Sequence, residues 1–160
     1  MTQRIAIKVH GLPAPQGSKS ARAIYRGKGE TREFTGKIAM HESSKKVAPW
    51  RAAVEQAARE AIAAHPHFVK FNGPVRVRID FVFPRLKKHF RTGRFSDVLR
   101  DDAPIYHTVY PDADKLQRST FDALTKAGIW ADDARAAIVT ASKTYGTSAG
   151  AYIEVSEVLP

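Results

Sequence analysis

Apolar and polar residues alternate from Ile5 through Ile7 and Val9 to His10, predicting an opening strand that the run Gly11-Leu-Pro-Ala-Pro-Gln-Gly17 ends with turn chemistry. Residues 74–83 alternate more strictly, so a second strand places Val75, Val77, Ile79 and Phe81 on one face and Arg76 and Arg78 on the other. Between them, over residues 44–64, Val47, Trp50, Val54, Ala57, Ala58 and Ile62 recur at three- and four-residue steps, the period of an amphipathic helix. Pro49 belongs in its first turn, where a missing N–H costs nothing. Residues 21–25 and 31–35 flank Gly27-Lys-Gly29 and read as a basic hairpin with a loop longer than two residues. Leu116, Thr120, Phe121, Leu124 and Ala127 predict a second helix over residues 112–127, with Gly128 placed to end it. Two closing strands follow over residues 136–145 and 151–158, joined at residues 146–150. The pattern predicts one α+β domain over residues 1–160, a mixed β-sheet packed with about two main helices.

Composition narrows the function. The 160 residues hold 26 Lys and Arg against 16 Asp and Glu, a formal net charge of +10, which favours a polyanionic partner such as nucleic acid. No apolar run reaches the roughly 18 residues that span a bilayer, and the opening MTQRIAIKVHG has no signal-peptide core, so a cytoplasmic protein without a membrane partner is expected. The absence of cysteine excludes disulfides, thiolate catalysis and Cys-type zinc sites. Residues 84–107 show little periodicity but carry Arg85, Lys87, Lys88, Arg91, Arg94 and Arg100 with Phe90 and Phe95 interleaved. They read as a long basic loop, suited to distorted or single-stranded nucleic acid, or else as a solvated insertion.

Against this basic background, five of the 16 acidic residues fall between Asp112 and Asp133. Beside a phosphate backbone, clustered carboxylates serve to hold a divalent cation, which points to a metal-dependent nuclease. With a helix starting near Asp114, Asp112 and Asp114 occupy the extended approach to it and can reach one ion. Asp132 and Asp133 come one helix and one turn later, and whether they meet the first pair depends on how the next strand runs. A helix cap and an Asp-rich turn explain the same four residues without chemistry. Asp114, Arg118 and Asp122 share one helical face, which also suits a solvated ion-pair ladder.

The order Asp112-Ala-Asp114, Asp122-Ala-Leu124, Gly128-Ile-Trp130 and Asp132-Asp133 resembles the signature of the RusA family of Holliday junction resolvases. The strong match spans residues 110–135. Lys115 stands where the family usually has Asn, and Arg118 where it has a helical Lys. The resemblance implies Asp112, Asp114 and Asp133 as catalytic metal ligands, with Asp132 as an additional one, around Mg²⁺ or Mn²⁺ in its place. It implies Arg118 or Lys115 as the cation that neutralises transition-state charge, and paired symmetric nicks in a four-way junction, leaving 5′-phosphate and 3′-hydroxyl ends, in DNA recombination and repair. A homodimer and no organic cofactor follow from it. Candidate DNA contacts are Arg85, Lys87, Lys88, Arg91, Arg94 and Tyr110. The alternatives are a broader nuclease of flaps and forks and a non-catalytic basic nucleic-acid binder.

Overall fold

The expected alternation at Val75–Pro84 builds the strand on which the rest of the molecule is assembled. In a computed structural model that describes residues 2–17, 19–42 and 45–159, this strand (β4) buries Val75, Val77, Ile79, Phe81 and Phe83 and turns Arg76 and Arg78 to solvent. In chain order the elements are β1 (Arg4–His10), β2 (Lys19–Arg26), β3 (Glu33–Glu42), α1 (Val47–Ala63), β4, α2 (Ala113–Ala127), β5 (Ala136–Gly146) and β6 (Gly150–Glu157). The expected α+β architecture with a mixed sheet and two main helices is what forms.

The four-stranded sheet has the order β1-β6-β4-β5. β6 is antiparallel to both β1 and β4, whereas β5 runs parallel to β4. The two closing strands therefore flank β4 rather than pairing with each other. Gly150 opens β6 where β1 comes so close that a Cβ would collide with the Val9 carbonyl. One sheet face is covered by the two helices. Trp50 of α1 packs on Phe81 with ring centroids 6.3 Å apart and donates its indole N–H to Thr120 of α2 at 3.2 Å. Both groups are buried, and the bond satisfies a polar pair that would otherwise be costly to enclose.

α2 ends as its sequence predicts. Gly128 adopts φ 91°, a left-handed conformation that glycine takes without strain, and its N–H and that of Ile129 both reach back to the Leu124 carbonyl. That turn drives Ile129 and Trp130 fully into the core, where Trp130 meets Phe121 edge-on at 5.4 Å and donates to Thr125 Oγ1 at 2.6 Å. The Gly-Ile-Trp part of the motif is thus a packing device.

Two segments differ from the sequence expectation. β3 starts at Glu33 and runs to Glu42, well past Thr35, because Gly36 at φ 73° absorbs an irregularity without ending the strand. β2 and β3 form a sheet of their own. Residues 84–107 are not a featureless loop: they hold short 3-10 turns at Lys87–His89 and Gly93–Phe95, a bridge between Phe90 and Leu99, and ion pairs Arg91–Asp101 at 3.1 Å and Arg100–Asp102 at 2.9 Å. Ser44, the expected start of the first helix, lies outside the described residues.

Candidate functional site

The approach to α2 is held against the edge of the sheet. Residues 105–107 lie along β5, with the His107 N–H donating to the Lys143 carbonyl and the Tyr145 N–H to the Ile105 carbonyl, both at 2.9 Å. Lys143 Nζ then donates to the carbonyls of Val109 at 2.9 Å and Pro111 at 2.7 Å. On the other side, the loop after β1 grips the first turns of α2. The Gln16 N–H donates to the Lys115 carbonyl at 3.0 Å and Ser119 Oγ to the Ala14 carbonyl at 2.7 Å. The backbone around Asp112 and Asp114 is tied to two parts of the fold, β5 and the loop after β1.

The helix begins at Ala113, within one residue of the start the sequence suggests. Asp112 is the extended residue before it, with φ −69° and ψ 142°, and Asp114 sits in the first turn. Asp112 makes no side-chain cap bond, so its oxygens are not consumed by the helix end. Its recorded partner is Lys115, whose Nζ lies 3.7 Å from Oδ2. Asp114 has no ion-pair or hydrogen-bond partner among the described residues, and both carboxylates are exposed. Two accessible carboxylates with oxygens to spare fit a magnesium ion, which keeps several waters and needs only one or two protein carboxylates beside a substrate phosphate.

The second acidic pair is elsewhere. Trp130 bridges to Phe71, and β5 then begins beside Val75, near the C-terminal end of α2. The strand runs back along the helix and reaches the other end only at Lys143. Asp132 and Asp133 are therefore separated from Asp112 and Asp114 by the length of α2, about 22 Å for 15 residues at 1.5 Å rise. Asp132 accepts from the Ala134 N–H at 2.8 Å and caps the turn that leads into β5. Asp133 is exposed. Among the described residues no three His, Asp or Glu side chains converge on one metal position.

The ion-pair ladder along α2 does not form. Asp122 accepts from Arg51 of α1 at 2.8 Å, which ties the two helices together, while Lys115 takes Asp112. Arg118 is exposed and has no recorded ion-pair partner among the described residues, one turn along the helix from Asp114.

The basic residues of the loop divide by what they already touch. Arg85 donates to the Pro104 carbonyl at 2.8 Å and Arg91 is paired with Asp101. Arg94 stacks on Phe95, 4.9 Å from the ring centre. Lys87 and Lys88 are exposed with no recorded ion pair among the described residues, and Tyr110, two residues before Asp112, is 70% exposed. Lys143 is the positioning residue that periodicity could not single out. Its alternation places it on the helix-covered face of an edge strand, where only topology reveals what it holds.

No helix among the described residues is long and apolar enough to cross a membrane. A search of curated proteins finds no match to this chain. The family model described as endodeoxyribonuclease RusA matches residues 16–156, which include Asp112, Asp114, Lys115, Arg118, Asp132, Asp133 and Lys143.

Proposed function

The chain belongs to the endodeoxyribonuclease RusA family, and from that premise we propose that it is a magnesium-dependent nuclease that resolves four-way DNA junctions during recombination and repair, acting as a homodimer. The observation that carries the reading is the head of α2, where Asp112 and Asp114 stand exposed and largely unpartnered in a protein of net charge +10. Carboxylates left without partners beside a DNA-binding surface repel phosphate unless a cation joins them. Mg²⁺, with Mn²⁺ as a substitute, would be held by these two side chains and would supply Lewis acidity for hydrolysis of the phosphodiester.

The chain's own groups do the rest. Lys115, within ion-pair distance of Asp112, orients that carboxylate and supplies positive charge near the phosphate. Arg118, one turn further on, is free to meet the DNA backbone as a bidentate donor. Lys87, Lys88 and Arg94 neutralise phosphates along the loop that leads to the site, and Tyr110 offers a ring against which an unstacked base can rest. Asp133 joins Asp112 and Asp114 only if a second chain supplies it, since one chain holds them at opposite ends of α2. A dimer also provides the two symmetric sites that a four-way junction requires.

The deciding experiment is cleavage of an end-labelled mobile four-way junction with and without Mg²⁺. Paired nicks of opposed strands are expected only with the metal. Asp112→Asn and Asp114→Asn should each lower the cleavage rate by about 10²–10³ or more, while junction binding is kept or tightened because a negative charge has been removed. Metal-independent nicking, or Asn variants that cleave normally, would remove the proposal.

A further inference from the structure

We infer that hairpin β2–β3 is an arm that captures an unstacked nucleotide of the DNA, with the base resting on Tyr25 and Phe34 and the flanking phosphates on Arg26 and Lys37. The two strands form a sheet of their own. From residue 21 to residue 39 every position is exposed except the half-buried Ala23, and none of them joins the core. Among the described residues, their hydrogen bonds and ring contacts stay within the hairpin. A two-stranded ribbon that packs on nothing is marginally stable in water. Exposed Tyr, Phe and Ile side chains on such a ribbon point to a ligand that covers them.

The arm has a built recess. Tyr25 and Phe34 stand directly opposite each other, 46% and 52% exposed, with ring centroids 5.7 Å apart. The Arg32 guanidinium lies over the Tyr25 ring, 4.3 Å from its centre, and extends the flat surface with a cation. Beyond this pair the register slips, so that Ile24 faces Thr35, Gly36 and Lys37 before Ala23 meets Ile38. Beside the slip lies a cleft of about 610 Å³, in the size range of small-ligand sites, lined by both rings, Arg26, Lys37 and the carboxylate of Glu33.

Charge selects the occupant. Residues 21–39 hold five Lys and Arg against two Glu. Two such arms repel each other, which disfavours a second copy, and the core of a protein interface is depleted of the charges that here alternate with the rings. Aromatic side chains interleaved with cations suit a single nucleic-acid strand, because a ring accepts a base of any sequence while the cations follow the phosphates. The root of the arm lies beside the proposed site: Gln16, three residues ahead of β2, donates its N–H to the Lys115 carbonyl in the first turns of α2 at 3.0 Å. The eight residues of β2 extend about 27 Å from there. A nucleotide displaced at a branch point is thus held on the arm while its strand continues past the head of α2. The choice of DNA as ligand rests on the proposed function.

Both tryptophans of the chain, Trp50 and Trp130, are buried, so their emission is a constant background and Phe34→Trp places a reporter in the cleft. Titration without Mg²⁺ with an oligothymidylate of about 16 nucleotides should quench that reporter, as stacking on a base does. Heparin, a polyanion without bases, should bind and leave the emission unchanged. Tyr25→Ala and Phe34→Ala should each weaken binding of the same oligonucleotide about fivefold or more, the loss expected for one stacked base. Neither should move the melting temperature by more than a few degrees, since neither side chain touches the core. Equal quenching by heparin, no quenching by the oligonucleotide, or Ala variants that bind like the parent overturns the inference. An Ala variant that keeps its affinity and sediments at lower mass also overturns it, and would make the arm a contact between copies. The nuclease is judged apart, because every readout omits the metal: quenching without Mg²⁺-dependent junction cleavage keeps the arm and loses the nuclease, and cleavage without quenching does the reverse.

Discussion

Lys143 donates its ammonium to the Pro111 carbonyl at 2.7 Å, so a side chain on the edge strand holds the residue that precedes Asp112. A second bond from the same nitrogen reaches Val109 at 2.9 Å. Charge-assisted bonds to carbonyls fix backbone more firmly than neutral ones, and here the backbone fixed is the one that aims a proposed metal ligand. Lys143→Met keeps the aliphatic stem and removes both bonds. Single-turnover cleavage at saturating protein should fall roughly tenfold or more, with only a few degrees lost in melting temperature. A variant that loses stability and rate in proportion would make Lys143 a structural residue with no bearing on the site.

Much of this arrangement is legible in the residues themselves. Alternation locates β4, and the period of three and four plus Gly128 locates α2 and its end, because both signals are local and each residue's environment is set by its nearest neighbours along the chain. The order of the 84–107 segment is not legible in that way, since it rests on pairs such as Arg91 with Asp101 and on lying against β5, contacts for which no periodic pattern is needed. The placement of the acidic pairs fails to show for the same reason. Asp112 to Asp133 is a single cluster in sequence, yet the strand that follows α2 starts at the far end of the helix, and only the parallel pairing of β4 with β5 decides that. The Trp130 of the signature is a related lesson: prominent in the motif, it is spent entirely on the core.

A pH dependence follows from the cluster behind the approach to α2. His107 is buried, stacked on Phe83 with ring centroids 3.9 Å apart, and its Nδ1 has no hydrogen-bond partner among the described residues. Burial first, and the neighbouring Lys143 charge second, hold its pKa below the ordinary value of 6.5. His89 is lowered in the same direction by burial and then by Arg85 and Lys88. As pH falls through about 6.5 the unfolded chain takes up protons that the folded one refuses, so stability declines over that interval and is recovered above it. The melting temperature should be lower at about pH 5.5 than at about pH 7.5. His107→Phe keeps the stacked ring without a nitrogen to protonate and should narrow that difference. Identical pH slopes for the two proteins would exclude His107 as a source.

The two cations of α2 can be told apart by substitution. Lys115 lies beside Asp112, whereas Arg118 is exposed one turn on with no recorded ion pair among the described residues. Lys115→Ala should therefore lower turnover by about 10²-fold with a small effect on junction binding, since a charge that orients a ligand counts most in the transition state. Arg118→Ala should weaken binding several-fold and flatten its salt dependence, as expected on losing one phosphate contact. Arg118→Lys should restore only part of that affinity, because lysine returns the charge but not the bidentate contact. If Arg118→Ala instead abolishes cleavage at full occupancy, the roles are reversed.

Division of the carboxylates between the two ends of α2 makes complementation the sharpest test of the dimeric site. If Asp112 and Asp114 of one chain act with Asp133 of the partner subunit, then Asp112→Asn and Asp133→Asn homodimers each have two defective sites. A mixed dimer concentrates both defects in one site and leaves the other intact. Co-refolding the two variants at equal concentration should yield about half of the molecules as mixed dimers by random pairing. Each should nick one strand of the junction while failing to nick the opposed strand in the same binding event. Nicked but unresolved junctions appearing only in the mixture, and absent with either variant alone, would be the signature. If every site were instead built within one chain, each subunit of the mixed dimer would carry its own defect, and the mixture would be as inactive as its components.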